Sequence, residues 1–276
     1  MIAKSAVYLF KQIIWPIFLV YLGFIVLLYF LQNTFVYVPP SLSKVDISRL
    51  ESFVHQEVEA PDGLKIKGYF KAPEKGMPII LEFHGNGSHP AWEYPKFSRL
   101  IEKGYGVFLA EYRGYGGNVG TPNEQNLYKD GEAYIRWLIS NPDLKSSPVI
   151  LYGSSIGSGV AVDIAAKYPK IKALILEVPF NDLSEVASWH YPYIPFIKYM
   201  MKNKFPNEDK IFKVTAPKLF ILAGKDNIVP MQYGEKLALA APEPKEAYIL
   251  ENANHIDVYN QGAMQVVDDF LKKYFP

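Results

Sequence analysis

The stretch ILYGSSIGSG, Ile150 to Gly159, runs from an apolar segment into one rich in glycine and serine. A reactive serine at a sharp turn from strand to helix needs small residues two positions before and after it, because larger side chains would collide there. Ser155 meets this condition through Gly153 and Gly157, whereas the other two serines of the stretch do not. The spacing therefore favours Ser155 as a nucleophile.

Short apolar runs alternate with helical patterns on both sides of this turn. Eight strands are predicted; the first two, Phe53–Ala60 and Leu64–Lys71, form a hairpin around PDG, and the others are PIILEFH, GVFLAEY, PVILYG, IKALILEV, PKLFILAG and EAYILEN. Helices are predicted at Ala91–Lys103, Asn123–Ser140, Ile156–Tyr168, Met231–Ala240 and Tyr259–Tyr274. Such alternation predicts an α/β fold, a mostly parallel eight-stranded sheet with helices on both faces.

A serine hydroxyl attacks only if a base takes its proton, so a histidine and an orienting carboxylate should follow Ser155 in the chain. Asp226 comes after the strand KLFILAG, and His255 comes after the strand EAYILEN. Both lie at the carboxyl ends of strands, the same rim that carries Ser155. We expect these three residues to form a catalytic triad.

Other carboxylates could replace Asp226. Glu177, at the end of the strand after the serine turn, is the reserve candidate, and Asp182 and Asp257 are weaker ones. An aspartate after a strand is by itself more often a turn former or a helix cap than a catalytic acid.

An acyl-transfer reaction also needs donors for an oxyanion. We expect the backbone N–H of Ile156, at the start of a helix, to be one donor and the N–H of Asn86, in the loop FHGNGSHP, to be the other. His84 in the same loop is expected to hold the loop by hydrogen bonds rather than to react.

The N-terminus differs from the rest of the chain in composition. Ile13 to Leu31 is nineteen residues without a charge, roughly 28 Å of helix, which matches the hydrocarbon core of a bilayer. A cleaved signal peptide is the alternative, but LQNTFVYVPP offers no small-x-small cleavage site. Trp15, Tyr29 and Tyr37 are placed as interfacial aromatic residues would be.

Charge placement around this helix predicts its orientation. Lys4 and Lys11 precede it, and the first charge after it is Lys44, so the positive-inside rule predicts a cytoplasmic N-terminus and a catalytic domain on the other side of the membrane. A bacterial inner membrane, with the domain facing the periplasm, fits this topology best. We expect a cytoplasmic N-terminus and anchor at residues 1–35, a linker at 36–52 and one domain at 53–276.

Composition excludes several kinds of site. The chain of 276 residues has no cysteine, which removes disulfides and thiolate chemistry, and its net charge of +1 argues against a nucleic-acid partner. The glycine-rich RGYGGNVG has Val119 where a dinucleotide-binding motif needs its third glycine, and the histidines are too scattered for a zinc site. No cofactor and no metal are predicted.

One segment, residues 181–212, is too long for an ordinary connection and is rich in aromatic residues and proline. It is predicted to be a lid. In one interpretation its aromatic residues, with Trp189, Tyr193 and Phe196 as the main candidates, line an acyl pocket over Ser155 while lysines face anionic lipid. In the other they simply cover the edges of the core.

Six blocks of sequence resemble the membrane-anchored α/β-hydrolase-domain (ABHD-type) serine hydrolases and their bacterial relatives. They are LEFHGNGS, EYRGYGGNVGTPNEQNLYKDGEAYIRWL, ILYGSSIGSGVAVDIA, HYPYIPFIKYMMKNKFPNEDKI, LAGKDNIVP and NANHIDV. The resemblance implies the α/β-hydrolase fold, Ser155, Asp226 and His255 as triad, and an oxyanion hole at Asn86. It departs at Gly117 and Asn118, where such proteins commonly carry a serine, and Arg113 and Asp130 look structural.

The favoured hypothesis is a membrane-tethered serine hydrolase that cleaves ester or thioester bonds of acyl or lipid-like substrates through an acyl-enzyme, with esterase, thioesterase or lysophospholipase-like activity. Its partners would be the acyl substrate and, through the N-terminal helix, the lipid bilayer. The alternatives are a serine peptidase of the same fold and a non-catalytic hydrolase-like scaffold. A peptidase would want an acidic site for a substrate amino group, and none can be assigned from the sequence.

Overall fold

A computed structural model describes Tyr8 and residues 10–275. The eight strands form one sheet in the order β1-β2-β4-β3-β5-β6-β7-β8. Strand β2 pairs antiparallel with β1 and β4, and all other pairs are parallel. The strands are β1 Val54–Glu59, β2 Lys65–Lys71, β3 Ile79–Phe83, β4 Gly106–Ala110, β5 Val149–Ser154, β6 Ala173–Glu177, β7 Lys218–Ala223 and β8 Lys245–Leu250. The predicted α/β-hydrolase architecture, with its opening hairpin, is confirmed.

The helices in chain order are α1 Trp15–Val36, α2 Pro90–Glu102, α3 Glu124–Ser140, α4 Ile156–Lys167, α5 Leu183–His190, α6 Ile197–Met200, α7 Glu208–Ile211, α8 Met231–Ala240 and α9 Ala263–Tyr274. Helices α2 and α9 cover one face of the sheet, and α3, α4 and α8 cover the other. Alternate residues of β5 point to opposite faces, so Leu151 joins a core with α3, α4 and α8, while Ile150 joins a second core with α2 and α9. The central strands are mostly apolar because both of their faces are buried, with Glu82, Glu177 and Lys218 as buried charged exceptions.

The last helix begins later than its pattern predicts. The expected start was Tyr259, but residues 257–262 form turns in which the Gln261 N–H donates to the Asp257 carbonyl. Gly262, with φ 95°, takes a left-handed conformation that suits glycine and separates these turns from the helix at Ala263. The apolar pattern of the helix continues into the turns, which is why the sequence alone did not mark the boundary.

One helix in the described part of the chain, Lys11–Val36, is long and apolar enough to cross a membrane. Only 6% of its most apolar eighteen residues are buried, so it is not a core helix of the domain. Its last turns continue beyond the predicted end at Leu31 and contact the domain. The side chain of Tyr37 is only 4% exposed and belongs to a hydrophobic core, so its expected place at a membrane interface is wrong.

Arg113 and Asp130 tie the loop after β4 to α3, as the resemblance suggested. The Arg113 guanidinium pairs with Asp130 at 2.7 Å, where the two side chains are 5% and 0% exposed, and it also pairs with Asp62 at 2.9 Å. The backbone N–H of Arg113 donates to the same Asp130 carboxylate at 2.9 Å. Burial raises the pKa of Asp130, and Arg113 opposes that effect.

Replacing Arg113 should destabilise the domain because Asp130 would remain buried without its cation. We expect Arg113→Leu to lower the free energy of unfolding by about 3–5 kcal/mol, measured by chemical denaturation of the purified protein. Arg136→Leu removes a surface partner of Glu132 and serves as the control, with a loss of at most about 1 kcal/mol. Equal losses in the two variants would contradict this prediction.

Candidate active site

Ser155 lies at the turn between β5 and α4. Its backbone has φ 50° and ψ −119°, a sparsely populated conformation for a residue with a side chain, and such strain concentrates at functional sites. The turn is held because the Ser155 N–H donates to the Glu177 carbonyl of β6 at 2.9 Å. The serine is therefore presented at the carboxyl edge of the sheet, as the sequence pattern predicts.

The two glycines of the motif are required by contact with their neighbours. A Cβ on Gly157 would lie 2.0 Å from the carbonyl oxygen of Phe83 in β3, and one on Gly153 would lie 2.6 Å from the carbonyl oxygen of Gly157. Real Cβ atoms are not found this close to a backbone oxygen. The G-x-S-x-G spacing is thus required by the close packing of α4 against β3 and β5.

The structure brings Ser155, His255 and Asp226 together from three separate loops. Nε2 of His255 is 3.0 Å from Oγ of Ser155, and Nδ1 of His255 is 2.7 Å from Oδ2 of Asp226. The Asp226 side chain is 2% exposed and the His255 side chain 11%. Since a carboxylate only accepts hydrogen bonds, Nδ1 carries the proton and Nε2 is left to accept one from the serine.

Asp226 is itself held in place by its loop. Its other oxygen, Oδ1, accepts the N–H groups of Ile228 and Val229, each at 2.8 Å. These bonds leave Oδ2 directed at the histidine. Asp226 therefore has two roles: it forms the turn, as its sequence context suggests, and it also orients the imidazole of His255.

The reserve acid Glu177 is committed elsewhere. It accepts hydrogen bonds from Lys96 at 2.8 Å, from Ser154 at 3.1 Å and from the Tyr152 hydroxyl. Lys96 is deeply buried, and although burial alone would lower its pKa, Glu177 and Glu93 raise it. This buried cluster fixes β5, β6 and α2 below the serine turn without contacting His255.

The two weaker candidates have local roles. Asp182 caps α5 by accepting the Ser184 N–H at 2.7 Å. Asp257 accepts the N–H and the side-chain amide of Asn254, next to His255 in the chain. Their roles are those of cap and turn formers.

The HGNG loop lies directly against Ser155. A Cβ on Gly85 would be 3.4 Å from the Ser155 Cβ, so the next peptide, with the Asn86 N–H, lies close to the reaction centre. Ile156 is the first residue of α4, and its N–H therefore has no partner within the helix. These are the two groups expected to bind an oxyanion, and that role stays a prediction.

The side chain of Asn86 has a function that the sequence did not indicate. Its Nδ2 donates to the Val36 carbonyl at 2.8 Å, and its Oδ1 accepts the Val38 N–H at 2.9 Å and the Tyr115 hydroxyl at 2.7 Å. The amide thus pairs with the backbone at the end of α1 as a neighbouring strand would. Segment 36–38, expected to be a linker, is bound to the loop beside Ser155.

His84 is buried behind this loop. Its Nδ1 donates to the Gly85 carbonyl at 2.8 Å, and its Nε2 donates to Glu111 at 2.9 Å. Burial lowers its pKa, but Glu111, together with Glu82 and the Gly85 carbonyl, raises the pKa by more, to about 9. The charged imidazolium, a donor at both nitrogens, supports the loop as predicted and does not face Ser155 Oγ.

The segment predicted to be a lid, residues 181–212, contains α5, α6, α7 and their connections. Of the three predicted pocket residues, Trp189 is 48% exposed, Tyr193 65% and Phe196 75%. Tyr193 and Phe196 lie against α1, where they line apolar cavities. Their contact with an acyl chain stays a prediction, but the surface they face includes the N-terminal helix.

Among Tyr8 and residues 10–275, which the structure describes, no three His, Cys, Asp or Glu side chains lie together so that they could hold a metal ion.

The chain is similar to a known protein family and to several known proteins. A family model described as serine aminopeptidase, S33, matches residues 75–211. Rv2307c of Mycobacterium tuberculosis is 35% identical over 242 residues, covering 85% of this chain and 84% of that protein. Protein bem46 of Schizosaccharomyces pombe is 30% identical over 272 residues, covering 92% and 89%. The chain belongs to the α/β-hydrolase-domain (ABHD-type) family.

Further relatives fit the same family. The α/β-hydrolase domain-containing protein WAV2 of Arabidopsis thaliana is 27% identical over 281 residues, 91% of each chain. Among solved structures, the Pyrococcus furiosus esterase Pf2001 superimposes with a TM-score of 0.71 at 18% identity, covering 87% of this chain and all of the esterase. This α/β-hydrolase-domain protein therefore has the fold of a hydrolase with esterase-like neighbours.

The His84–Glu111 pair should make stability depend on pH. The pKa of His84 is raised from 6.5 unfolded to about 9 folded, so the pair stabilises fully below pH 6.5 and its contribution is lost as pH rises through 9. We expect His84→Gln to cost about 3 kcal/mol of unfolding free energy near pH 6 and much less near pH 10.

Chemical denaturation of wild type and variant at several pH values measures this difference. His55→Gln is the matched control because His55 is exposed on β1, and its effect should be small and constant over the same range. A His84→Gln cost that does not shrink above pH 9 would show that the imidazolium is not what stabilises the loop.

Proposed function

We propose that this chain is a membrane-tethered serine hydrolase that cleaves ester or thioester bonds of acyl substrates through an acyl-enzyme. The observation that carries the proposal is the chain of contacts from Ser155 Oγ to His255 Nε2, 3.0 Å, and from His255 Nδ1 to Asp226, 2.7 Å. Nucleophile, base and orienting acid lie within hydrogen-bonding distance in the order that acyl transfer requires.

The geometry supports a two-stage reaction. Ser155 Oγ attacks the acyl carbon as His255 Nε2 takes its proton, and Asp226 stabilises the imidazolium that forms. The N–H groups of Ile156 and Asn86 stabilise the oxyanion. Nε2 then protonates the leaving alcohol or thiol, and a water activated by the same nitrogen hydrolyses the acyl-serine.

The membrane tether would be α1, whose apolar surface is exposed around its circumference outside its contact with the lid. With Lys4 and Lys11 before the helix and the catalytic domain after it, the positive-inside rule places the N-terminus in the cytoplasm. The catalytic domain would then lie on the other side of the membrane, which in a bacterium is the periplasm.

A serine peptidase is the second candidate, and the description of the matching family model, serine aminopeptidase, favours it. An aminopeptidase needs a carboxylate for the substrate amino group. The two carboxylates near Ser155 are engaged by other side chains, Asp226 by His255 and Glu177 by Lys96, and are not free to bind an amino group. The esterase hypothesis therefore keeps the stronger support, and a screen with p-nitrophenyl esters, acyl thioesters, lysophospholipids and aminoacyl anilides separates the two.

Labelling with a fluorophosphonate probe tests the nucleophile. We expect wild type to react, Ser155→Ala to lose all labelling, and kcat on p-nitrophenyl acetate to fall by roughly 10⁴-fold or more, because the attacking oxygen is gone. Ser154→Ala is the matched control, since Ser154 Oγ bonds Glu177 rather than His255.

Two results would contradict the proposal in different ways. A folded wild-type protein that stays unlabelled would favour the non-catalytic scaffold. Labelling that survives in Ser155→Ala but is lost in Ser154→Ala would show that the neighbouring serine is the nucleophile.

A further inference from the structure

An apolar groove runs between the membrane helix α1 and the lid. Its volume is about 350 Å³, at the lower end of the range for small-molecule sites. Gln32 and the hydroxyls of three tyrosines, Tyr29, Tyr191 and Tyr193, are the polar side-chain groups on its walls, and the other lining residues are apolar. The α1 wall includes Leu28, Gln32 and Val36, and the lid wall includes Ala187 and Tyr193.

Specific hydrogen bonds hold the two walls together. The Tyr21 hydroxyl donates to the Tyr193 carbonyl at 2.6 Å, the Gln32 Oε1 accepts the Lys202 N–H at 2.7 Å, and Asn203 Nδ2 donates to Asn33 Oδ1 at 2.6 Å. A tether whose only task was to hold the domain at the membrane would not need these contacts. They fix α1 at a defined position on the lid and keep the groove open between them.

Both walls of the groove are joined by hydrogen bonds to loops of the candidate active site. The α1 wall ends at Val36, whose carbonyl is bonded by the Asn86 side chain in the loop that contacts Ser155. The lid wall includes Ala187 of α5, and the same helix ends at His190, whose Nε2 donates to the Ile228 carbonyl in the Asp226 loop at 2.8 Å. The groove is thus bounded by elements attached to the loop that contacts Ser155 and to the loop that carries Asp226.

The depth of the groove indicates where its ligand comes from. It occupies the C-terminal half of a helix that is long and apolar enough to span a bilayer, and the helix is exposed there except for its contact with the lid. Tyr193 and Phe196 of the lid are mostly exposed beside it. At the rim, Lys202 lies 4.2 Å from the Tyr29 ring centre, where an ammonium group would be close to lipid headgroups.

We propose that the membrane helix is part of the substrate site, and that the groove between it and the lid binds the acyl chain of a single-chain lipid ester entering laterally from the bilayer. The apolar lining selects a hydrocarbon chain, the volume fits one chain rather than two, and the walls place its ester end towards Ser155. This inference rests on the proposed hydrolase function, and it adds the site of the acyl chain and the route by which it arrives.

Blocking the groove with a large side chain tests this site in the full-length protein. Leu28 lines the groove, whereas Leu27, one residue earlier, is 55% exposed and lines neither of the apolar cavities along α1. Leu28→Trp and Leu27→Trp therefore make the same change on two faces of one helix. Both variants are reconstituted into phosphatidylcholine nanodiscs and compared with wild type.

The activity arm compares a short with a long acyl chain. We expect Leu28→Trp to lower kcat/KM on p-nitrophenyl palmitate, monopalmitoylglycerol and palmitoyl lysophosphatidylcholine by about tenfold or more relative to kcat/KM on p-nitrophenyl acetate, because the indole would fill the space of the long chain. Leu27→Trp should change neither class. An unchanged ratio of long-chain to short-chain activity in Leu28→Trp, or the same loss in Leu27→Trp, would overturn the proposal.

The binding arm does not depend on catalysis. Ether-linked analogues with a terminal diazirine, one an alkylglycerol and one an alkyl lysophosphatidylcholine, should cross-link to residues 24–36 and 187–201 in wild type and in Leu27→Trp, and several-fold less in Leu28→Trp. Cross-links spread evenly around α1 in all three proteins would mean ordinary bilayer lipid and would overturn the inference. Groove labelling together with no hydrolysis of p-nitrophenyl acetate would instead refute the proposed function and leave the lipid site standing.

Discussion

The close approach of α4 to β3 is the constraint on which the rest of the site depends. Because the Gly157 Cα lies against the Phe83 carbonyl with no room for a Cβ, the chain must turn from β5 into a helix within a single residue, and that residue is Ser155. The same contact brings the end of β3, and with it the HGNG loop, beside the serine. One steric requirement thus sets both the strained backbone of Ser155 and the position of the N–H groups around it.

Electrostatics on the two sides of this turn serve different purposes. Below it, Lys96 with Glu93 and Glu177 forms a buried cluster that joins α2 to β6. Behind the HGNG loop, His84 and Glu111 form a second buried pair. Buried ion pairs contribute little net stability but are costly to break, so they favour one arrangement of the loops over close alternatives. Asp226 is also fixed by its partners, since its Oδ1 accepts the N–H groups of Ile228 and Val229 and its Oδ2 accepts the Nδ1–H of His255.

The sequence was informative where the signal is local or periodic. The strands, the glycine spacing around Ser155 and the placing of Asp226 and His255 after strands all follow from short-range rules, and the structure brings these three residues together. The hydrogen bonds of Asn86, Tyr37 and Asn203 could not be predicted from such short-range rules. Their partners are about 50 to 170 residues away, and a polar residue in a loop looks the same whether it binds water or a distant backbone. The burial of Tyr37 was missed for that reason.

Those long-range contacts change what the N-terminal helix can be. Asn33 and Gln32 place amide groups at the end of an apolar helix where it packs against the lid, and an amide buried there without a partner would be costly. Their bonds to the lid, and the bonds of Asn86 to Val36 and Val38, satisfy these groups only when helix, lid and HGNG loop are docked together. Undocking the helix would therefore free the Asn86 side chain next to Ser155 as well as the polar groups of the helix. The position of the HGNG loop is in this way coupled to the position of the N-terminal helix.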